Sequence, residues 1–343
     1  MFIGLPADRE SRCVPRMGYR SPIGVRPGPG QRPGVRVFLI KVAKSIKFMK
    51  NMLDCLATTV KSHERRTCPM QPTRRVAALL AATFTLSIAL PAIALASSTL
   101  SISGATASFP LVSLLTQRYA KLNKKVKFKL SQGGTQVGIN EVAAGRVSIA
   151  DVSRDPLPAD PHGLDFYPVA KYYLCVVTNK SNPLANLTQA QVEGIFTGKV
   201  TEWSKVPGAS ASGPIDVISR NAAAGTLSNF QTLLIGGKKV SGPKGAPVAE
   251  KPSEGLQRQA IEKDPNAIGF LSGYFASQGV NDVGFGGVGC TLANATSGQY
   301  GGVAQFYEVT KGPAKGAAAG FINWISKSRA AKQIISTQWI PLK

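Results

Sequence analysis

Ser219-Arg220-Asn221-Ala222-Ala223-Ala224-Gly225-Thr226 leads into an apolar-periodic run over residues 227–235. An arginine, a small-residue loop and a helix start follow one another here. Such a junction gathers backbone N–H groups, the positive end of a helix dipole and a guanidinium fork around one point, which is how proteins hold an oxyanion. Taken alone, an arginine before a glycine-containing turn is equally a solvated loop that enters a helix. The choice depends on whether other stretches of the chain present the same geometry.

Three of them do. Residues 100–103 form a short β-type run, and Gly104-Ala105-Thr106-Ala107-Ser108-Phe109-Pro110 turns into a helix over residues 111–122, with small hydroxyl residues placed to cap it. A strand ending at Phe128-Lys129-Leu130 gives way to Ser131-Gln132-Gly133-Gly134-Thr135-Gln136-Val137-Gly138 and a helix over residues 139–144. Residues 147–150 read as a further strand, with Asp151-Val152-Ser153-Arg154-Asp155-Pro156 at its C-terminal end. Helix capping explains any one of these. It does not predict so many Ser, Thr, Gly and Arg residues at strand C-termini, where open α/β sheets bind ligands.

The charge balance bears on what that ligand is. Of 343 residues, 41 are basic and 18 acidic, a ratio that would suit a nucleic-acid binder. Residues 1–69, however, hold fourteen of the basic and four of the acidic residues, and residues 70–96 add only Arg74 and Arg75. The excess over residues 97–343 would raise the local concentration of small anions. The densest basic stretch alternates from Lys125 through Lys127 and Lys129, which describes a strand with one wet lysine face. No aromatic-interleaved RNA motif or zinc-finger spacing accompanies it, so no nucleic-acid partner is expected.

Residues 70–96 read as a secretory signal peptide. Arg74-Arg75 supplies a basic start, the apolar run spans residues 76–90, and Ala94-Leu95-Ala96 is a small-x-small cleavage signal. That run is short for a membrane span and meets Pro91, so no stable membrane insertion is expected after cleavage. The 69 preceding residues, rich in Arg, Pro and Gly, are expected to be a non-native or disordered leader, with Met70 as the true start. An exported protein in the periplasm or outside the cell follows. Three of the five cysteines, Cys13, Cys55 and Cys68, fall in the leader. The remaining two, Cys175 and Cys290, are open to two readings: one disulfide, or two small buried thiols on adjacent strands.

The chain resembles the periplasmic phosphate-binding proteins of ABC transporters, within the bilobal periplasmic binding proteins. The resemblance rests on residues 104–110, 131–145, Ser153-Arg154, 220–226, Ala267-Ile268-Gly269-Phe270 and the C-terminal helix over 320–328. Its most specific part is Leu187-Thr188-Gln189-Ala190-Gln191-Val192-Glu193-Gly194-Ile195-Phe196-Thr197-Gly198-Lys199-Val200-Thr201-Glu202-Trp203. It implies an α/β, type II-like fold of two lobes joined by two crossing strands, with lobe one over residues 98–171 plus 288–343 and lobe two over residues 172–287. Residues 172–178 would be the crossing into lobe two and residues 283–287 the way back, placing Cys175 and Cys290 near the hinge. The implied protein is a monomer that captures phosphate, or a related tetrahedral oxyanion, and delivers it to an ABC permease. A scavenger, sensor or surface protein of the same fold is the alternative.

Carried over residue by residue, the resemblance assigns ligand contacts to Ser108 and Phe109, Thr135, Ser153, Arg154, Arg220, Gly225 and Thr226. Two positions depart from the pattern. Ala224 stands where the family has a serine, which removes a hydroxyl donor. Ser153-Arg154 stands where many members have an aspartate that accepts the proton of hydrogen phosphate; Asp151 or Asp155 could take over that role, or Arg154 could add a second cation. Past residue 96 the only histidine is His162, beside Pro161 and Gly163, and no metal-ligand cluster of usual spacing occurs. Neither a metal nor a cofactor is therefore expected, and phosphatase chemistry is disfavoured.

Overall fold

The structure, a computed structural model, describes residues 97–343. The expected leader and signal peptide, with Cys13, Cys55 and Cys68, lie outside the described residues. Two β–α units open the described chain: β1 (Ser98–Gly104) enters α1 (Phe109–Leu122), and β2 (Val126–Gln132) enters α2 (Thr135–Ala143). β3 (Ile149–Val152) and the long β4 (Leu164–Thr178) follow. Leu111, Val112, Leu115, Thr116 and Tyr119 are buried on one stripe of α1, and Pro110 sits in its first turn. In β2 the exposed Lys127 and Lys129 alternate with half-buried apolar residues, as the sequence pattern implies. That strand is a sheet edge, where lysines discourage pairing with another chain.

After β5 (Asn186–Leu187) and α3 (Gln189–Phe196) come β6 (Asp216–Arg220), α4 (Gly225–Leu234), β7 (Ala249–Lys251), α5 (Glu254–Lys263) and β8 (Ala267–Ser272). The short α6 (Gly273–Ala276), β9 (Asn281–Phe285), α7 (Leu292–Ser297), β10 (Val303–Lys311), α8 (Gly316–Lys327) and α9 (Arg329–Ile335) complete the described chain. The strand order is β2-β1-β3-β10-β4-β8-β6-β7. From Leu164 to Tyr173, β4 pairs antiparallel with β10; from Leu174 to Thr178 it pairs with β8. One strand therefore belongs to two sheets, and its passage from one to the other joins two α/β lobes.

Residues 283–287, expected as the return crossing, do something else. Val283 of β9 pairs with Val176 and Asn281 with Thr178, inside the second sheet, and Gly286 and Gly287 turn the chain at positive φ. The chain rejoins the first sheet at Val303, opposite Tyr173. A run of small and apolar residues suits a strand in either place, so the pairing partner was not readable from it. Cys175 of β4 is bonded to Cys290, which precedes α7, with Cα atoms 5.6 Å apart. The bridge ties the crossing strand to the segment that leads back.

Each lobe is packed around aromatic residues. Tyr119, Phe128, Phe321 and Trp324 interlock between α1, β2 and α8. In the other lobe Phe196, Phe230 and Phe270 form a cluster, and the fully buried Trp203 donates its indole N–H to the Asn266 carbonyl at 3.0 Å. These cores fix the strand ends on which the site is built.

Candidate functional site

The C-terminal ends of β1, β3 and β6 and the starts of α2 and α4 meet across the cleft between the lobes. Ala105, Thr106, Ala107, Gly134, Thr135 and Ser153 of the first lobe face Arg220, Ala224, Gly225 and Thr226 of the second around a narrow gap. Thr135 opens α2, and Gly225 and Thr226 open α4. Amides in these first turns have no partner in their own helix and carry its positive dipole end. Gly134 makes the turn into α2 at φ +99°, a conformation that favours glycine.

Arg220, 1 % exposed, is the cation of the site. Its Nε donates to the Lys251 carbonyl at 3.0 Å, and Nη2 donates to the Pro252 carbonyl and the Thr106 hydroxyl, each at 3.1 Å. Nη1 lies 3.4 Å from the Thr226 hydroxyl. Two backbone carbonyls thus aim the fork, and two hydroxyls stand beside it. Burial pulls the guanidinium below its ordinary value, and the Glu254 carboxylate opposes that change. Glu254, wholly buried, is itself pushed up by burial, with Arg220 and bonds from Ser272 working against the rise.

Thr135 and Ser153 hydroxyls are 3.1 Å apart, and the Ser153 amide donates to Thr135 Oγ1 at 3.1 Å. The second lobe reaches across to this pair: Asn229 Nδ2 donates to the Ser153 carbonyl at 2.8 Å, and the Gln136 amide donates to the Ala223 carbonyl at 3.0 Å. A Cβ on Gly225 would lie 2.6 Å from Ser153 Oγ and 2.7 Å from Thr135 Oγ1. Only glycine lets the lobes approach this closely.

Of the expected contacts, Thr135, Ser153, Arg220, Gly225 and Thr226 come together. Ser108 and Phe109 do not line the gap; residues 105–107 do, and the Ser108 hydroxyl donates to the Asp151 carboxylate. Arg154 is turned away from it. Its Nη atoms donate to both carboxylate oxygens of Asp160 at 2.8 and 2.6 Å, and also to Gln136 Oε1 and the Asp155 carbonyl, so all four Nη protons are already used. Asp155 is exposed and accepts the Tyr307 hydroxyl at 2.6 Å, outside the gap. Asp151 is buried at the end of β3 behind the loop, and burial pushes its carboxyl up to about 7, against the Ser108 hydrogen bond. The sequence alone does not single out Thr106, Asn229 or Glu254. Thr106 lies in the loop whose family resemblance points to Ser108 instead, and Asn229 and Glu254 carry no local signal.

A cleft of this kind, with one buried guanidinium, two helix starts and four hydroxyls on its wall, is suited to bind an anion. A family model for the PBP superfamily domain matches residues 91–328. The chain belongs to this family.

The Bacillus subtilis phosphate-binding protein PstS is 26% identical over 254 residues, covering 72% of this chain and 82% of the relative. A Clostridium perfringens protein described as a phosphate ABC transporter substrate-binding protein, solved with bound phosphate, is 27% identical with a TM-score of 0.66; the match covers 72% of this chain and all of that one. An ABC-type phosphate transport receptor from Vibrio cholerae is 25% identical with a TM-score of 0.58, over 71% of this chain and all of that one. The two-lobed periplasmic-binding-protein fold is therefore the fold of this chain. Among the described residues no helix is long and apolar enough to cross a membrane.

Proposed function

We propose that this protein is the substrate-binding component of an ABC importer that captures a tetrahedral oxyanion, phosphate first, between its two lobes. The observation that carries the reading is the buried Arg220, aimed by two backbone carbonyls at the point where the first turns of α2 and α4 converge. The names of its relatives favour phosphate among the oxyanions. Closure is the binding event: Asn229 and Gln136 cross the cleft when the lobes meet, and the anion supplies the charge that draws Arg220 and the first lobe's loops together. We further assign the protein to the outer side of the cytoplasmic membrane and a permease as the recipient of its ligand, both following from the family.

Selectivity has a specific source here. Arg154 is held by Asp160 and the cleft wall carries no carboxylate, so nothing in it rejects a fully ionised oxyanion. Titration with phosphate, arsenate, sulfate and molybdate tests this. Phosphate and arsenate are expected to bind, with sulfate less than about a hundredfold weaker; failure of all four to bind contradicts the reading.

A further inference from the structure

Behind the first lobe's anion loop lies a second acid that the binding account leaves unused. Glu308 of β10 is fully buried, and neither of its carboxyl oxygens has a hydrogen-bond partner. Its strand partner in β3 is Asp151, also buried. Directly opposed residues of neighbouring strands project from the same face at Cα separations of about 4.5 to 5.5 Å, so the two carboxyl groups share one apolar space. Asp151 in turn grips both ends of the anion loop. Its carbonyl accepts the Ala105 amide at 2.8 Å, and its carboxylate accepts the Ser108 hydroxyl.

We propose that Glu308 and Asp151 form a proton-holding pair behind the anion loop, Glu308 being the member that stays neutral and Asp151 the member whose ionisation opposes anion binding. This rests on the oxyanion reading of the cleft. Two negative charges cannot be buried side by side without a cation, and none reaches this space. β1 carries no titratable side chain. From β4 the same face presents Tyr167, opposite Glu308, and Asp165 beyond it. α1 turns Leu111, Val112, Leu115 and Tyr119 inward and leaves Arg118 and Lys121 exposed; α8 turns in Ala318, Phe321 and Ile322 and leaves Lys327 exposed. Lys311 and Lys315, at the end of β10 and before α8, are exposed as well. Burial and Asp151 push Glu308 well above the usual carboxylate range, and burial lifts Asp151 to about 7. An anion held by the loop adds a further negative charge near Asp151, so capture of the anion and uptake of a proton from solvent by Asp151 favour each other.

The test compares phosphate affinity of the wild-type protein and Asp151→Asn from pH 5.5 to 8.5 by calorimetry. Phosphate's own titration is common to both proteins and cancels in the ratio of their Kd values. The ratio is expected to rise with pH, by up to about tenfold per unit above the Asp151 midpoint. Glu308→Gln, a neutral isostere, is expected to keep the wild-type profile. In the wild type an infrared band of a protonated carboxylic acid should persist at pH 8 and vanish in Glu308→Gln. A ratio independent of pH, a Glu308→Gln profile that is flat, or no such band in the wild type each overturns the pair. Binding by the wild type with a flat ratio rejects the pair alone; absence of phosphate binding at every pH rejects the oxyanion reading with it. The infrared measurement needs no Asp151 variant and decides the matter if Asp151→Asn does not fold.

Discussion

At the scale of single residues, two side chains separate binding from architecture. Ala224 is the N-cap of α4 and lines the gap without a side-chain cap for the helix. A serine there supplies both the cap and a hydroxyl donor, and a hydrogen bond to a charged ligand is worth about 1.5 to 3 kcal/mol. Ala224→Ser is therefore expected to tighten phosphate binding by about tenfold or more in calorimetry, with a higher Tm. Arg154 gives the opposite pattern. Its ion pair with Asp160 is buried on both sides, and removing one partner of such a pair costs about 3 to 5 kcal/mol. Arg154→Ala should lower the denaturation midpoint in urea while the folded protein keeps its affinity within about threefold. The sequence presents Ala224 as a lost hydroxyl donor and Arg154 as a ligand contact. What it could not supply is that Asp160, six positions on, takes the Arg154 fork before any anion can.

At the scale of elements, the helix starts were the legible part and their exact turns were not. The helix read from residue 139 begins at Thr135, because Gly134 turns the chain at positive φ and Gly138 is inside the helix, where a Cβ would meet the Ser103 carbonyl oxygen at 2.5 Å. Gly138 serves the packing of α2 on β1 rather than a turn. The most specific stretch, residues 187–203, turns out to be structural: Thr188 and Gln191 form a capping box on α3, and Trp203 fills the second lobe's core. The disulfide acts at this scale too. Closing a segment 115 residues long, it is expected to stabilise the fold by about 2 to 5 kcal/mol, so Cys175→Ala with Cys290→Ala should show a lower midpoint in urea. The facing strands β3 and β10 add a pH dependence. Asp151 is raised to about 7 in the fold, above the ordinary carboxylate value that applies when unfolded, so its contribution is complete at acid pH and lost as pH rises through about 7. Between pH 5 and pH 8 the wild-type Tm should fall by about 5 °C more than that of Asp151→Asn.

At the scale of the whole molecule, the two-lobed plan follows from one strand shared between two sheets, and the cleft follows from where that strand leaves the helix starts. Helix periodicity and glycine placement made the α/β units readable in order. The partner of β9 and the burial of Glu254 and Glu308 were not, since both depend on contacts far apart in the chain. The central claim is that the lobes close on an oxyanion held by Arg220, and the most direct measurement of it is calorimetric titration of phosphate into the wild-type protein and Arg220→Ala. The account predicts one phosphate per wild-type molecule and affinity at least about tenfold weaker in Arg220→Ala, whose thermal unfolding remains cooperative. Equal affinity in the two proteins would contradict it.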